Sequence, residues 1–388
     1  MPLTPALELA CSACDRTYDE WIWRCDCGAP LDFASKAFGT DADASSPPGT
    51  NEAATSPLGT NEAATGPPES WADTRVGLWS FRDFLPVGPH VTLGEGLTPL
   101  VDAPDWDASF KLEYVFPTGS FKDRGATVTL SVAAELGVER VVEDSSGNAG
   151  AAIATYAARA GIDAEIYVPA SVKSGKRRAI ERTGAAVVPI EGSREDVTGA
   201  CVDAVKHDDT WYASHAWNPA FFAGTATFAH EVCAQRGWEP PDAVVTPLGH
   251  GTLFLGAYRG FRDLYDAGWI ESMPRLLGAQ AAGYAPIAAE LHGADAAAGE
   301  NDVADGIQIR EPVRKSQILA AIDATDGDAI ALSSQAVERE LDALHREGFY
   351  VEPTCAVAPA ALDVYRECGV VATDDDVVVP LTGSGLKA

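Results

Sequence analysis

An α/β protein with parallel sheets, preceded by a small metal-stapled module, is predicted by three features of the 388-residue sequence. Beyond Trp71, short apolar runs rich in β-branched residues alternate with alanine-rich helical stretches. That spacing fits right-handed βαβ crossovers and sheets covered on both faces. Glycine loops mark the passage from strand to helix, as at Ser145-Ser146-Gly147-Asn148 and Gly249-His250-Gly251-Thr252. Four of the eight cysteines form two close pairs near the amino terminus.

Those pairs are Cys11-Ser12-Ala13-Cys14 and Cys25-Asp26-Cys27-Gly28, separated by a stretch containing Tyr18, Trp21 and Trp23. Two thiols on each tight turn complete a closed tetrahedral site, similar to a zinc ribbon, with Cys11, Cys14, Cys25 and Cys27 as ligands. Zinc is the expected metal and iron the alternative. A unit so short cannot fold on its apolar burial alone, which argues for the metal and against four unrelated buried cysteines. The ribbon is assigned to residues 1–33.

From 34 to 70 the composition shifts to small and polar residues, and Pro47 to Ser56 is repeated nearly unchanged at Pro57 to Gly66. Such a segment reads as a disordered linker. Residues 71–388 then form one catalytic unit, with a smaller lobe at about 123–216.

Within that unit, Leu93 to Leu100 is a glycine- and proline-rich extended approach, followed by a strand at Phe110 to Tyr114. The turn Pro117-Thr118-Gly119-Ser120-Phe121-Lys122-Asp123-Arg124-Gly125 delivers a lysine to the start of a helix reaching Leu136. Strands are expected at Arg140–Glu143, Ala164–Val168, Ala186–Ile190 and Trp211–Ala213, with helices at Ala149–Ala160, Ser174–Thr183 and Glu195–Lys206 between them. A second block has a helix from Asn218 toward Gln235, a strand at Asp242–Thr246 and a helix at Leu253–Ala267. A strand at Arg275–Ala279, helices at Pro286–Leu291 and Ser334–Glu347, and a last strand at Asp376–Pro380 follow. That strand runs into Leu381-Thr382-Gly383-Ser384-Gly385, at the sheet edge where ligands gather in open parallel sheets.

The net charge of −29 argues against a nucleic-acid partner, which needs clustered lysine and arginine. An excess of acid with few lysines is like the surfaces of proteins that work in concentrated salt. No apolar run is long enough for a membrane span. Met1 to Ala10 lacks a secretory pattern, so a cytoplasmic location is expected.

Taken in order, the Lys122 turn, Ser145-Ser146-Gly147-Asn148, the Gly249 loop and Thr382-Gly383-Ser384-Gly385 resemble threonine synthase. This family belongs to the pyridoxal phosphate enzymes of fold type II, the two-lobed tryptophan synthase β-subunit type. Gly94-Glu95-Gly96-Leu97-Thr98-Pro99-Leu100 and the amino-terminal ribbon fit archaeal members. The resemblance implies a homodimer, a small amino-acid substrate, and pyridoxal 5'-phosphate joined to Lys122. That lysine would also act as the base at the substrate's α-carbon. Asn148 would bond the cofactor's ring hydroxyl, and Gly249, His250, Gly251 and Thr252 its phosphate. Thr382 would face the pyridine nitrogen, with Ser384 as the alternative, and Ser145, Ser146 and Gly147 would hold the substrate carboxylate. His215 and His250 are expected to be packing or hydrogen-bonding residues, since no acidic partner can be assigned to either.

Several positions depart from the family's pattern. Asn218-Pro219-Ala220-Phe221 puts a ring where a phosphate-binding arginine is expected. The usual Gly-Gln-Lys-Thr reads Gly224-Thr225-Ala226-Thr227, the threonine after Ser-Gly-Asn is Ala149, and Glu352-Pro353-Thr354-Cys355-Ala356 replaces Glu-Pro-Ala-Ser-Ala. Three readings follow. One is a lyase converting O-phosphohomoserine to threonine, with Arg124, Lys173, Lys176 or Arg177 replacing the missing phosphate donors. Another is elimination or replacement on a different amino acid, such as serine, threonine or a sulfur analogue. The third is a noncatalytic cofactor-binding protein.

Overall fold

The computed structural model describes residues 3–34, 76–207 and 210–387. The linker expected at 34–70 lies outside the described residues except for residue 34. The amino-terminal module contains β1 (Leu9–Cys11), β2 (Thr17–Tyr18) and β3 (Leu31–Phe33), an antiparallel sheet of order β2-β1-β3. It packs on the rest of the chain through ring contacts, Trp21 tilted against Trp211 at 4.9 Å and Trp23 edge-on to Trp217 at 5.1 Å between centroids. Charge reinforces the contact: Asp32 accepts from Arg314 at 2.9 Å, Arg259 at 2.8 Å and Gln317 at 2.8 Å. Burial alone would raise the Asp32 carboxyl, but the two guanidinium groups hold it at about 2.

After a 3-10 helix at Gly77–Phe84 comes a short antiparallel pair, β4 (Leu100–Ala103) and β5 (Ala108–Lys111). Strand β5 ends before the predicted Tyr114, because the backbone passes into a 3-10 turn at Glu113–Val115. The same turn buries the Glu113 carboxylate against Arg124. Helix α1 (Lys122–Glu135) follows, then β6 (Arg140–Glu143), α2 (Asn148–Ala160), β7 (Asp163–Pro169), α3 (Ser174–Glu181), β8 (Ala186–Ile190), α4 (Arg194–His207) and β9 (Trp211–Tyr212). These strands make a parallel sheet of order β8-β7-β6-β9.

The second block comprises α5 (Pro219–Gln235), β10 (Ala243–Pro247), α6 (Thr252–Asp266), β11 (Arg275–Ala281), α7 (Pro286–His292), α8 (Lys315–Ala324), β12 (Asp328–Leu332), α9 (Ser334–Arg346), α10 (Val357–Glu367) and β13 (Val377–Pro380). Its sheet has the order β12-β11-β10-β13-β5-β4, parallel apart from the β4 edge. Helix α5 is buried along most of its length and lies between α1 and α6. Close helix contact depends on glycine: a Cβ at Gly224 would lie 2.0 Å from the Arg124 carbonyl oxygen, and one at Gly256 2.3 Å from the Thr225 hydroxyl. Among the described residues no helix is long and apolar enough to cross a membrane.

Candidate active site

The carboxyl ends of both parallel sheets open onto one cavity of about 710 Å³. The lysine turn reaches it through main-chain bonds to the segment after β13. Phe121 N donates to Thr382 O at 3.1 Å, and Ser384 N to Gly119 O at 2.9 Å. Gly119 has φ +76°, a conformation that favours glycine. Asp123 secures the turn by accepting from Thr118 N at 2.8 Å and from the Tyr156 hydroxyl at 3.2 Å.

Lys122 lines the cavity half-buried, its Nζ 4.4 Å from the Phe121 ring centroid and 5.8 Å from that of Phe221. Burial lowers its ammonium to about 7; Glu143 and Glu352 oppose the shift and Arg194 adds to it. An amine that loses its proton near neutrality is suited to nucleophilic and base chemistry. Ser145, Ser146, Gly147 and Asn148 also line the cavity, between β6 and the start of α2, where first-turn amides have no helical acceptor. A Cβ at Gly147 would meet nothing closer than Ser145 Oγ at 3.8 Å, so space remains above this loop. Gly249, His250, Gly251 and Thr252 bring a second helix start, that of α6, to the same space.

Thr382 lines the cavity too, with Cys355 Sγ 3.3 Å from its hydroxyl. Of the two hydroxyls considered for one role, Ser384 is the one whose oxygen accepts from Leu386 N, in the turn behind.

Two carboxylates of the site went unassigned in the sequence. Glu352 accepts from Asn148 Nδ2 at 2.9 and 3.1 Å and so orients that amide. It lies over Gly383, where a Cβ would come within 2.4 Å of its Oε1. Glu143 ends β6 and pairs with His215 Nδ1 at 2.6 Å. The expectation that His215 lacks an acidic partner is thereby corrected: neighbouring strands β6 and β9 end side by side and bring the two together. His250 stands edge-on to His215 at 5.4 Å, and its buried Nδ1 has no partner among the described residues. Burial, with the charges of Arg194 and Lys122, lowers the His250 imidazole to about 3.

The expected phosphate donors divide. Lys173 and Lys176 line the cavity, and Lys176 reaches Asp305 at 3.1 Å. Arg177 is paired with Glu181 on the surface. Arg124 is wholly buried on the far side of α1, bonded to Glu113 at 2.7 Å and Glu231 at 2.7 Å, and cannot serve a ligand. Two cations that the sequence did not single out line the cavity instead, Arg194 at the start of α4 and Lys387. Phe221 is fully buried against α1, where a Cβ at Gly125 would lie 2.1 Å from its ring. Ala226 packs on α6, and Ala149 borders the cavity.

In the amino-terminal module, the sulfurs of Cys11, Cys14, Cys25 and Cys27 all lie within 4.8 Å of one another. Cys11 and Cys27 are 3.6 Å apart, and Cys14 and Cys25 3.4 Å. A tetrahedron with zinc–sulfur bonds of about 2.3 Å has edges of roughly 3.8 Å, so the four thiols fit such an ion.

Residues 91–383 match the family described as pyridoxal-phosphate dependent enzyme. The chain is 31% identical to the threonine synthase of Methanocaldococcus jannaschii, over 97% of this chain and 92% of that protein. It is 34% identical to the threonine synthase of Methanosarcina acetivorans, over 80% of each. Maize serine racemase superposes with a TM-score of 0.62 at 21% identity, covering 74% of this chain and 88% of the racemase, a likeness of fold alone.

Proposed function

This chain belongs to the pyridoxal-phosphate dependent enzymes as a threonine synthase-like lyase, and on that premise we propose that it converts O-phosphohomoserine to threonine and phosphate. The charge of the cavity carries this reading. Besides Lys122, four cationic side chains line it (Lys173, Lys176, Arg194 and Lys387) against four carboxylates (Asp144, Asp302, Asp305 and Glu352). The whole chain has 28 lysines and arginines against 57 acids, so positive charge is concentrated here. A phosphate leaving group wants such donors, and they make up for the arginine replaced by Phe221.

The lining fits the cofactor, with a depressed lysine, two helix starts, and polar atoms such as His250 Nδ1 and Lys387 Nζ that are buried without partners among the described residues. Lys122 would hold it, the amides of Gly249, His250, Gly251 and Thr252 its phosphate, Asn148 its ring hydroxyl, and Thr382 its ring nitrogen. When bound, pyridoxal phosphate supplies the electron sink. Lys122 moves the proton at the substrate's Cα, and the Ser145, Ser146 and Gly147 loop holds the carboxylate against the start of α2. Lys173, Lys176 and Arg194 orient the phosphate. In the ribbon, Cys11, Cys14, Cys25 and Cys27 hold a structural zinc.

Phosphate and threonine are to be assayed after incubating the purified protein with O-phosphohomoserine in high salt. Equal amounts of both support the reading. A second reading, elimination on a β-hydroxy amino acid, is favoured by the acid-paired His215, which can serve a hydroxyl leaving group. No phosphate release, with 2-oxo acid formed from serine or threonine, would select it.

A further inference from the structure

Glu143 and His215 are placed as a working pair. The imidazole Nδ1 lies 2.6 Å from Glu143 Oε1, and the His215 backbone N–H donates to Oε2 at 3.3 Å. Glu143 has no exposed surface, while His215 retains 6% and lines the cavity. With Nδ1 occupied by the carboxyl group, Nε2 is the nitrogen left for a ligand. The Phe221 ring lies 6.1 Å from the His215 ring and 5.8 Å from Lys122 Nζ. One phenyl ring thus has the amine and the imidazole as neighbours.

The groups acting on the pair come from several elements. Lys122 lies on α1, Arg194 on α4 and His250 before α6, while Asp144 follows Glu143. Burial, Lys122, His250 and Arg194 all lower the imidazole, and burial with Asp144 raises the carboxyl. Both shifts disfavour charge on the pair, and the 2.6 Å contact lets a proton taken up at Nε2 be passed on from Nδ1 to Glu143.

We propose that Glu143 and His215 form a second acid–base couple, which moves a proton on or off the oxygen at the substrate's Cβ while Lys122 serves Cα. This rests on the lyase reading above and deepens it. In threonine formation, a water oxygen bonds to Cβ of a Cα=Cβ double bond and gives one proton to His215 Nε2. The displaced electron pair ends in a new Cα–H bond, its proton delivered by Lys122. In dehydration the order reverses: Lys122 takes the Cα proton, the Cβ–O bond breaks with its electrons on oxygen, and His215 protonates that oxygen so that water departs. A proton passed through water between His215 and Lys122 resets both.

The test uses holoenzyme of wild type, His215→Gln and Glu143→Gln, each checked for bound cofactor by absorbance, with phosphate, threonine and 2-oxobutanoate measured together. Without proton transfer at Cβ, the unsaturated amino acid escapes hydration and hydrolyses to 2-oxobutanoate and ammonia. Threonine per phosphate should fall about 10²-fold in His215→Gln, with 2-oxobutanoate replacing it. Glu143→Gln should shift the ratio the same way and less, and it carries the test alone if His215→Gln does not fold. An unchanged ratio, even at lower total rate, overturns the proposal, because a packing role slows every product alike. If the wild type releases no phosphate, the substrate reading has failed separately. The variants are then assayed for dehydration of threonine, where lower kcat at unchanged KM supports the couple and unchanged kcat overturns it.

Discussion

Lys122 and Arg124 stand two residues apart at the start of α1, and both are cations removed from bulk water, yet their surroundings are opposite in kind. Two steps along a helix turn a side chain through roughly 200°, so one faces the cavity and the other the interior. Arg124 is saturated: Glu113 and Glu231 flank it, Lys111 completes the cluster at 2.9 Å from Glu231, and the Thr227 hydroxyl accepts at 3.0 Å. Burial would lower the guanidinium and raise the Glu231 carboxyl, but their mutual attraction prevails, raising the former and holding the latter at about 2. Lys122 has phenyl rings for close neighbours, with Glu143 and Glu352 felt only through space, and burial prevails. A bonded charge becomes permanent; one left short of partners becomes reactive.

Removing each half of the contrast should therefore fail differently. Lys122→Ala is expected to lower turnover by more than about 10³-fold with little change in unfolding temperature, and borohydride should no longer fix the cofactor to the peptide containing residue 122. Retained activity and labelling would remove the lysine from its role. Glu231→Gln should lower stability by about 3–5 kcal/mol in denaturant titration while folded enzyme keeps its kcat, since one partner of a buried ion network is withdrawn.

A smaller effect is expected at the rim, where Lys176→Ala should raise KM for O-phosphohomoserine about 10-fold with kcat nearly unchanged, the loss of one charged hydrogen bond. The last concerns apoprotein stability and pH. The Lys122 ammonium is lowered to about 7 from 10.5 by folding, so between these values the unfolded chain binds more protons. Its contribution thus makes folded apoprotein more stable as pH rises from 7 toward 10.5, and Lys122→Met should flatten that part of the profile in denaturant titrations.

What could be read beforehand followed the range of the interaction. Strands at Arg140–Glu143 and Ala186–Ile190 were legible to the residue, because β-branched runs between helical stretches are local signals. Strand β4 read only as an extended approach, being a short edge element next to Pro99. Helix α10 went unnoticed with Pro359 in its first turn, a place where proline's missing N–H has no partner to lose. At the site, the motif residues Lys122, Asn148, Gly249 and Thr382 converge on one cavity. The pairs Asn148–Glu352 and Glu143–His215 are 204 and 72 residues apart and follow no spacing rule. Arg124 misled because proximity to Lys122 in sequence says nothing about which way a helix turns it.

The main-chain bonds from Phe121 to Thr382 and from Ser384 to Gly119 have a consequence for biosynthesis. The lysine turn is made early, yet it acquires its working shape only when the segment after β13 has been made and has closed beside it. A nascent chain halted before residue 381 would present residue 122 on an unfinished turn, without Thr382 or the Glu352–Gly383 contact. The shape of the turn that carries Lys122 is thus tied to the folding of a segment far along the chain.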